Sequence, residues 1–222
     1  QQDKDKITRI VLSTTVVTNL LATGRGERTA IVLIPGYGLP AHSYNISKDS
    51  FFLDGSIDFR GREIDPLDKS QLQAVGEEIN KAGIKRVAIV GKFSHRNNNL
   101  ERQAADYLQK RYPELEVFLG YEIAGKLNFP RRAATTYYTA LTSKEWNSFV
   151  DEINEALAAR QITSEVHILK ADGGTLPINL SRNMPCETVF SGPAASTMGA
   201  LALSRDKSNA VVIDIGGTTT DI

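Results

Sequence analysis

The chain has 222 residues, 41% hydrophobic and 23% charged, with 26 Lys and Arg balanced by 26 Asp and Glu. That length can bury one large core or two small ones, and zero net charge gives no electrostatic reason to expect nucleic acid or an anionic membrane as partner. The apolar runs "AIVLI" (30–34) and "AVVIDI" (210–215) are strand-length, "QQDKDKITRI" (1–10) lacks the apolar core of a signal peptide, and the single Cys186 excludes an internal disulfide, so a reducing, cytoplasmic setting is expected.

Strands and helices alternate along the sequence. "STTVVTNLLAT" (13–23) reads as a helix capped by Ser13, although its β-branched residues disfavour that state. "TAIVLI" (29–34) is a buried strand ending at Pro35-Gly36. In the loop-rich stretch 35–66, "SIDFRGREI" (56–64) resembles a hairpin. Leu72, Val75 and Ile79 have helical spacing, with Gly83 as the terminating residue. "KRVAIVG" (85–91) is the next strand. A helix follows from Asn98, where Asn98 and Glu101 have capping-box spacing and Leu100, Ala104 and Leu108 share a face. "LEVFLG" (115–120) completes a strand–helix–strand unit of the parallel kind.

"SKEWNSFVDEINEALAAR" (143–160) reads as a helix capped by Ser143, with Trp146, Phe149, Val150, Ile153 and Leu157 forming a core stripe. Then come the strand "EVHILK" (165–170), a loop with Gly173-Gly174, and a helix over "SGPAASTMGALALS" (191–204) with Pro193 in its first turn. The last element is the strand "AVVIDI". The fold class is therefore α/β, with parallel or mixed sheets and flanking helices.

The most chemical-looking stretch is "AVVIDIGGTTTDI" (210–222). Gly216 and Gly217 have no side chains, so their amides can approach a phosphate closely. Thr218, Thr219 and Thr220 add hydroxyl donors, and a strand–turn–strand hairpin would bring the carboxylates of Asp214 and Asp221 to a Mg²⁺ ion. The competing reading is a hairpin in which Gly-Gly only makes the turn, and spacing alone does not separate the two. Ser191 and Gly192 open a helix, and the free amides there favour anions; equally, Gly-Pro can simply start a helix. His42, His95 and His167 are far apart and lack zinc-ligand spacing. Arg131-Arg132 is a small basic spot.

These residues, taken together, resemble the hydantoinase A/oxoprolinase family. "STTVVTNLL" (13–21), "KFSHRNNNLER" (92–102), "GYEI" (120–123) and "RRAATTYYTAL" (131–141) resemble family segments, and "ILKADGGTLPI" (168–178), "SGPAAS" (191–196) and "DIGGTTTDI" (214–222) match the family in order and spacing. The resemblance implies a two-lobed, actin-like (RNase H-like) nucleotide-binding fold. It implies an α/β domain over 1–127 and the start of a second ATPase lobe over 128–222. It also implies that the chain is an internal fragment, inactive alone, starting after a first phosphate loop and stopping within a second.

By the same resemblance, the parent is an ATP-dependent hydrolase of small cyclic amides such as hydantoins or 5-oxoproline, working through phosphorylation of the amide oxygen. ATP and Mg²⁺ are the implied cofactors, with Gly216, Gly217, Thr218, Thr219, Ser191 and Gly192 on the nucleotide and Asp214 and Asp221 on the metal. A second subunit of the hydantoinase B type is the implied protein partner. A ketone carboxylase subunit and a nucleotide-gated activator module are the alternatives. Ala195-Ser196, Asn99-Leu100 and "PGYGLPAHSY" depart from the better-known family pattern.

Overall fold

The computed structural model describes residues 6–125, 127–204, 209–215 and 220–221, the last of these by its backbone alone. In chain order the elements are β1 (Arg9–Leu12), α1 (Val16–Thr23), β2 (Thr29–Ile34), β3 (Ser50–Phe52), β4 (Ser56–Ile57), β5 (Glu63–Asp65), α2 (Lys69–Lys81) and β6 (Arg86–Gly91). They continue with α3 (Asn99–Arg111), β7 (Glu116–Leu119), α4 (Gly120–Ile123), α5 (Phe129–Ala159), β8 (Glu165–Leu169), β9 (Thr175–Pro177), α6 (Ser191–Leu203), β10 (Asp214–Ile215) and β11 (Thr220–Asp221). Among the described residues no helix is long and apolar enough to cross a membrane.

The chain forms two compact units, one of Gly26–Leu141 and one of Gln1–Arg25 with Thr142–Ile222. This division differs from a single cut at 127/128, because the N-terminal strand β1 pairs in parallel with β8. α5 contributes residues to both units.

The Gly26–Leu141 unit is built on a four-stranded parallel sheet in the order β3-β2-β6-β7. Side chains alternate across a strand, and both faces here are covered. Val32, Ile34, Val87 and Ile89 pack with Leu72, Val75 and Ile79 of α2 and Leu100, Ala104 and Leu108 of α3. Ile31, Leu33, Ala88 and Val90 pack on the other face with Phe129, Ala133 and Ala140 of α5. Burial on both sides explains why β2 and β6 read as unbroken apolar runs. The 56–64 hairpin forms as β4 and β5, its turn held by Asp58 Oδ1 accepting from the amides of Arg60 and Arg62. Asp68 caps α2 by accepting from the amides of Ser70 and Gln71, and Gly83 follows at φ 66°.

In the other unit, β1, β8 and β9 form a sheet whose core is Val17, Trp146, Val150, Ile168 and Ile178. The buried Trp146 indole N–H donates to the carbonyl oxygen (2.9 Å) and hydroxyl (3.1 Å) of Ser181.

Several elements depart from expectation. α1 begins at Val16 rather than at Ser13, with Thr14 Oγ1 accepting from the Val16 amide. α5 starts at Phe129, not at Ser143, which is buried inside it. Asn128 Oδ1 accepts from the Arg131 amide, Pro130 suits a first turn, and Thr135 and Thr136 turn their hydroxyls back onto Arg131 and Arg132 carbonyls. The threonines that disguise this helix in sequence are thus satisfied within it. The strand expected over 210–215 is reduced to Asp214–Ile215. No described strand pairs with 210–213, and Val211 and Ile213 remain exposed.

The double-faced packing makes Ile89 a sensitive position. Ile89→Ala is expected to cost about 3 kcal/mol, and Asp68→Ala about 1 kcal/mol, in urea denaturation. Equal losses for the two would contradict a sheet buried on both faces.

Candidate functional site

The unit holding both termini brings together motifs that lie far apart in sequence. Phe190 takes a left-handed conformation (φ 60°), turning the chain sharply into α6. Its amide donates to Thr18 Oγ1 at 3.1 Å. Ser191 is fully buried; its hydroxyl donates to the Thr14 carbonyl at 3.1 Å and lies 3.5 Å from the Ser13 hydroxyl. The Ser-Thr-Thr segment and the Ser-Gly-Pro segment are therefore fastened to each other. Opening amides of an α-helix lack internal acceptors and favour anions, although Pro193 contributes no N–H.

The Asp172-Gly173-Gly174 turn lies beside the same helix. Gly173 has φ 80°, a left-handed conformation that calls for glycine, with the flexible Met198 side chain beside it. Asp172 accepts from the Gly174 amide (2.8 Å) and pairs with Lys170 (2.9 Å), which holds its carboxyl below the usual range and raises the lysine. A cavity of about 530 Å³ separates this turn from Pro193, Thr197 and Met198 of α6.

Asp214 joins the cluster from β10. Its Oδ2 accepts from the Ser196 hydroxyl at 2.5 Å. Its backbone pairs directly with that of Asp221, in an antiparallel hairpin with Ile215 opposite Thr220. The expected hairpin is present, and its two aspartates occupy one cross-strand position. Gly216, Gly217, Thr218 and Thr219 lie outside the described residues, as does the Asp221 side chain. Ser191, Gly192 and Asp214 thus belong to one assembly, with Ser196 added by the structure. Among the described residues no group of three or more His, Cys, Asp or Glu could hold a metal. Asp214 is a hard oxygen donor with one oxygen taken by Ser196, which suits a Mg²⁺ ion that keeps most of its waters.

The other unit carries a buried polar network that sequence reasoning missed. Glu101 does not close a capping box with Asn98, which makes no side-chain cap. Its carboxylate turns inward, accepting from the amides of Gly91 (2.7 Å) and Tyr121 (3.1 Å). Arg132, read from sequence as part of a basic spot, is fully buried and donates to the Gly91 carbonyl at 2.5 Å. Gly120 is needed beside them, since a Cβ there would stand 2.8 Å from Val90 Cγ1. Burial pushes the Glu101 carboxyl above its ordinary value, while the two amides, Ser94 and Arg132 pull it back. Burial likewise lowers the Arg132 guanidinium. Burial chiefly, and then the nearby Arg132 and Arg96, lower the His95 imidazole below its ordinary value. The stripe of Leu100, Ala104 and Leu108 signals only the helix face; that Glu101 shares its buried side has no signature in spacing.

The family model for the hydantoinase/oxoprolinase N-terminal region matches residues 1–112, and that for hydantoinase/oxoprolinase matches residues 132–222. An uncharacterized protein of Methanocaldococcus jannaschii is 25% identical over 174 residues, covering 78% of this chain and 26% of that protein. An uncharacterized protein of Schizosaccharomyces pombe is 21% identical over 257 aligned residues, covering 99% and 20%. Among solved structures, the ATP-dependent caprolactamase from Pseudomonas jessenii superposes with TM-score 0.75 at 20% identity, over 99% of this chain and 35% of that one. A nucleotide-free acetone carboxylase superposes with TM-score 0.74 at 16% identity, over 87% and 31%. The chain thus spans about a quarter of one curated relative's length, a fifth of the other's, and about a third of the two solved chains.

The Glu101 network has a pH signature. Because burial raises its folded-state pKa, the native state binds more protons than the unfolded state above the ordinary value of 4.5, so this group's contribution to stability falls as pH rises through that window. Glu101→Gln is expected to flatten that part of the stability–pH curve, measured by urea denaturation from pH 4 upward; an unchanged slope would contradict the raised carboxyl.

Proposed function

The chain belongs to the hydantoinase/oxoprolinase family, and on that premise we propose that it forms part of an ATP-dependent hydrolase of small cyclic amides. The observation that carries this reading is the convergence of Thr14, Ser191, Ser196 and Asp214 in one unit, beside the Asp172-Gly173 turn. Helix-start amides and hydroxyls suit phosphate, and a carboxylate in a hairpin beside them suits the accompanying metal ion.

In this reading Ser191 and Gly192 would bind phosphate together with Gly216, Gly217, Thr218 and Thr219. Asp214 and Asp221 hold Mg²⁺, which supplies charge neutralisation when bound. The substrate's amide oxygen takes the γ-phosphoryl group of ATP, releasing ADP, and water then opens the activated amide and releases phosphate. Positioning and electrostatics carry most of such a reaction. Ser196 orients the Asp214 carboxylate, and the Ser191–Thr14 bond fixes the helix start. A second subunit of the hydantoinase B type completes the enzyme in this proposal, and the surroundings are cytoplasmic.

A ketone carboxylase subunit is the second reading, favoured by the nearly equal superposition on acetone carboxylase. A nucleotide-gated activator would respond to a protein partner and not to small amides.

The test is ADP release by the intact protein with Mg²⁺, against hydantoins, 5-oxoproline and lactams, with and without bicarbonate. Stimulation by a cyclic amide without bicarbonate is the expected result. Strict dependence on bicarbonate and a ketone would replace it with the carboxylase reading. Asp214→Asn is expected to lower turnover at least about a hundredfold, in line with loss of a preorganised charge-stabilising group, while leaving the unfolding transition in place.

A further inference from the structure

The turn that leaves β6, residues 92–98, carries two costs within three residues. Phe93 takes a left-handed conformation (φ 60°), rare for a bulky side chain and a store of backbone strain. Two residues on, both ring nitrogens of His95 are shielded from solvent and meet no hydrogen-bond partner among the described residues. A neutral imidazole has one N–H to donate and one nitrogen to accept, so this ring leaves both unspent. Buried polar groups are nearly always paired, and an orphan calls for a physical reason.

Apolar contact and a few hydrogen bonds hold the turn closed. Phe93 packs against the core that includes Val32, Ile34 and Ile89, and its ring centroid lies 6.3 Å from that of His95. The Lys92 amide donates to the Ile34 carbonyl (2.9 Å), and its ammonium donates to the Tyr37 carbonyl (2.5 Å). The amides of Arg96 and Asn97 both donate to the Phe93 carbonyl, at 2.8 and 3.2 Å. Asn97 Nδ2 donates to the Gly61 carbonyl at 2.9 Å. The turn thus sits at the carboxyl ends of β2 and β6, the two neighbours between which the strand order reverses.

The charges that bear on His95 have one sign. Arg132 of α5 and Arg96 of its own turn, together with burial, lower the imidazole below its ordinary value. The carboxylates of the surrounding elements are engaged elsewhere. Glu101 of α3 accepts from the Gly91 and Tyr121 amides, and Glu63 of β5 accepts from Asn99. An imidazolium here would be a cation without an acceptor beside two guanidinium groups, far more costly than the neutral ring.

We propose that His95 is an acid-sensitive latch: the neutral ring lets the 92–98 turn close over the end of β6, and protonation expels the ring and opens the turn. The imidazolium regains water on leaving, and relief of the strained Phe93 backbone favours the same direction. The open turn binds the proton more tightly than the closed one. Closure is therefore fully favoured above the ordinary histidine value of 6.5 and weakens as pH falls below it. The latch stands independently of the ATP-dependent reading, because it lies in the Gly26–Leu141 unit, apart from the phosphate-type motifs.

The experiment follows amide hydrogen exchange in the whole chain from pH 7 to pH 5, corrected for the intrinsic exchange rate at each pH. Protection of the Lys92, Arg96 and Asn97 amides is expected to fall about tenfold over that range, while the β6 amides from Val87 to Val90 keep theirs. In His95→Phe, and in His95→Gln as a second neutral replacement, protection of the three turn amides is expected not to change with pH. Glu101 titrates with the opposite sign, so in Glu101→Gln the acid loss is expected to persist. Flat protection in the wild type would overturn the proposal. So would an acid loss that survives in both His95 variants or vanishes in Glu101→Gln, or an equal loss along β6, which would be unfolding of the sheet.

Discussion

The unit that carries the phosphate-type motifs depends on the parallel pairing of β1 with β8. Arg9 stands opposite Glu165 and Leu12 opposite Ile168, so the segment leaving β1 is delivered to α6. Closing so long a loop costs entropy, though the cost grows slowly with length. The core of Val17, Trp146, Val150 and Ile168 offsets it. In the segment that follows β1, Thr14 and Thr18 accept hydrogen bonds from the start of α6. The site is a consequence of that register.

The chemistry gathered there is hydroxyl and backbone rather than cationic. Ser13, Thr14, Thr18, Ser191 and Ser196 supply oxygen groups around a helix start, and Lys170 nearby is engaged by Asp172 and Glu187. In the proposed function such a surface would bind an anion through dipoles and leave charge compensation to a metal ion. It also agrees with a chain whose net charge is zero.

In the other unit a different constraint holds the end of the sheet. Gly91, the last residue of β6, has its N–H bonded to Glu101 and its carbonyl to Arg132. Two ionisable side chains are taken out of water to do this, at a desolvation cost that their bonds and mutual attraction counter. Such a network gives little net stability. What it defines is the path of the chain where β6, α3 and α4 converge, including the close approach that requires glycine at 120.

Local chemistry was sufficient for many elements. β2 and β6 follow from apolar runs, α2 and α3 from their helical stripes, and the 56–64 hairpin from its Asp and Gly. The Asp214–Asp221 pairing was legible because a hairpin has short range. α5 was legible only from Ser143 onward, since its first half is rich in threonine and rests on a cap at Asn128. The strand at 210–213 was over-read, because an apolar run needs a partner strand to become one. Sequence by itself determined the α/β class, the core stripes and the family, since these rest on periodicity and ordered motifs. Tertiary structure alone decided that β1 pairs with β8, that Ser191 meets Thr14, and that Glu101 and Arg132 turn inward. Each of those depends on which distant backbone groups need a partner once the sheets have formed, and no local pattern encodes that.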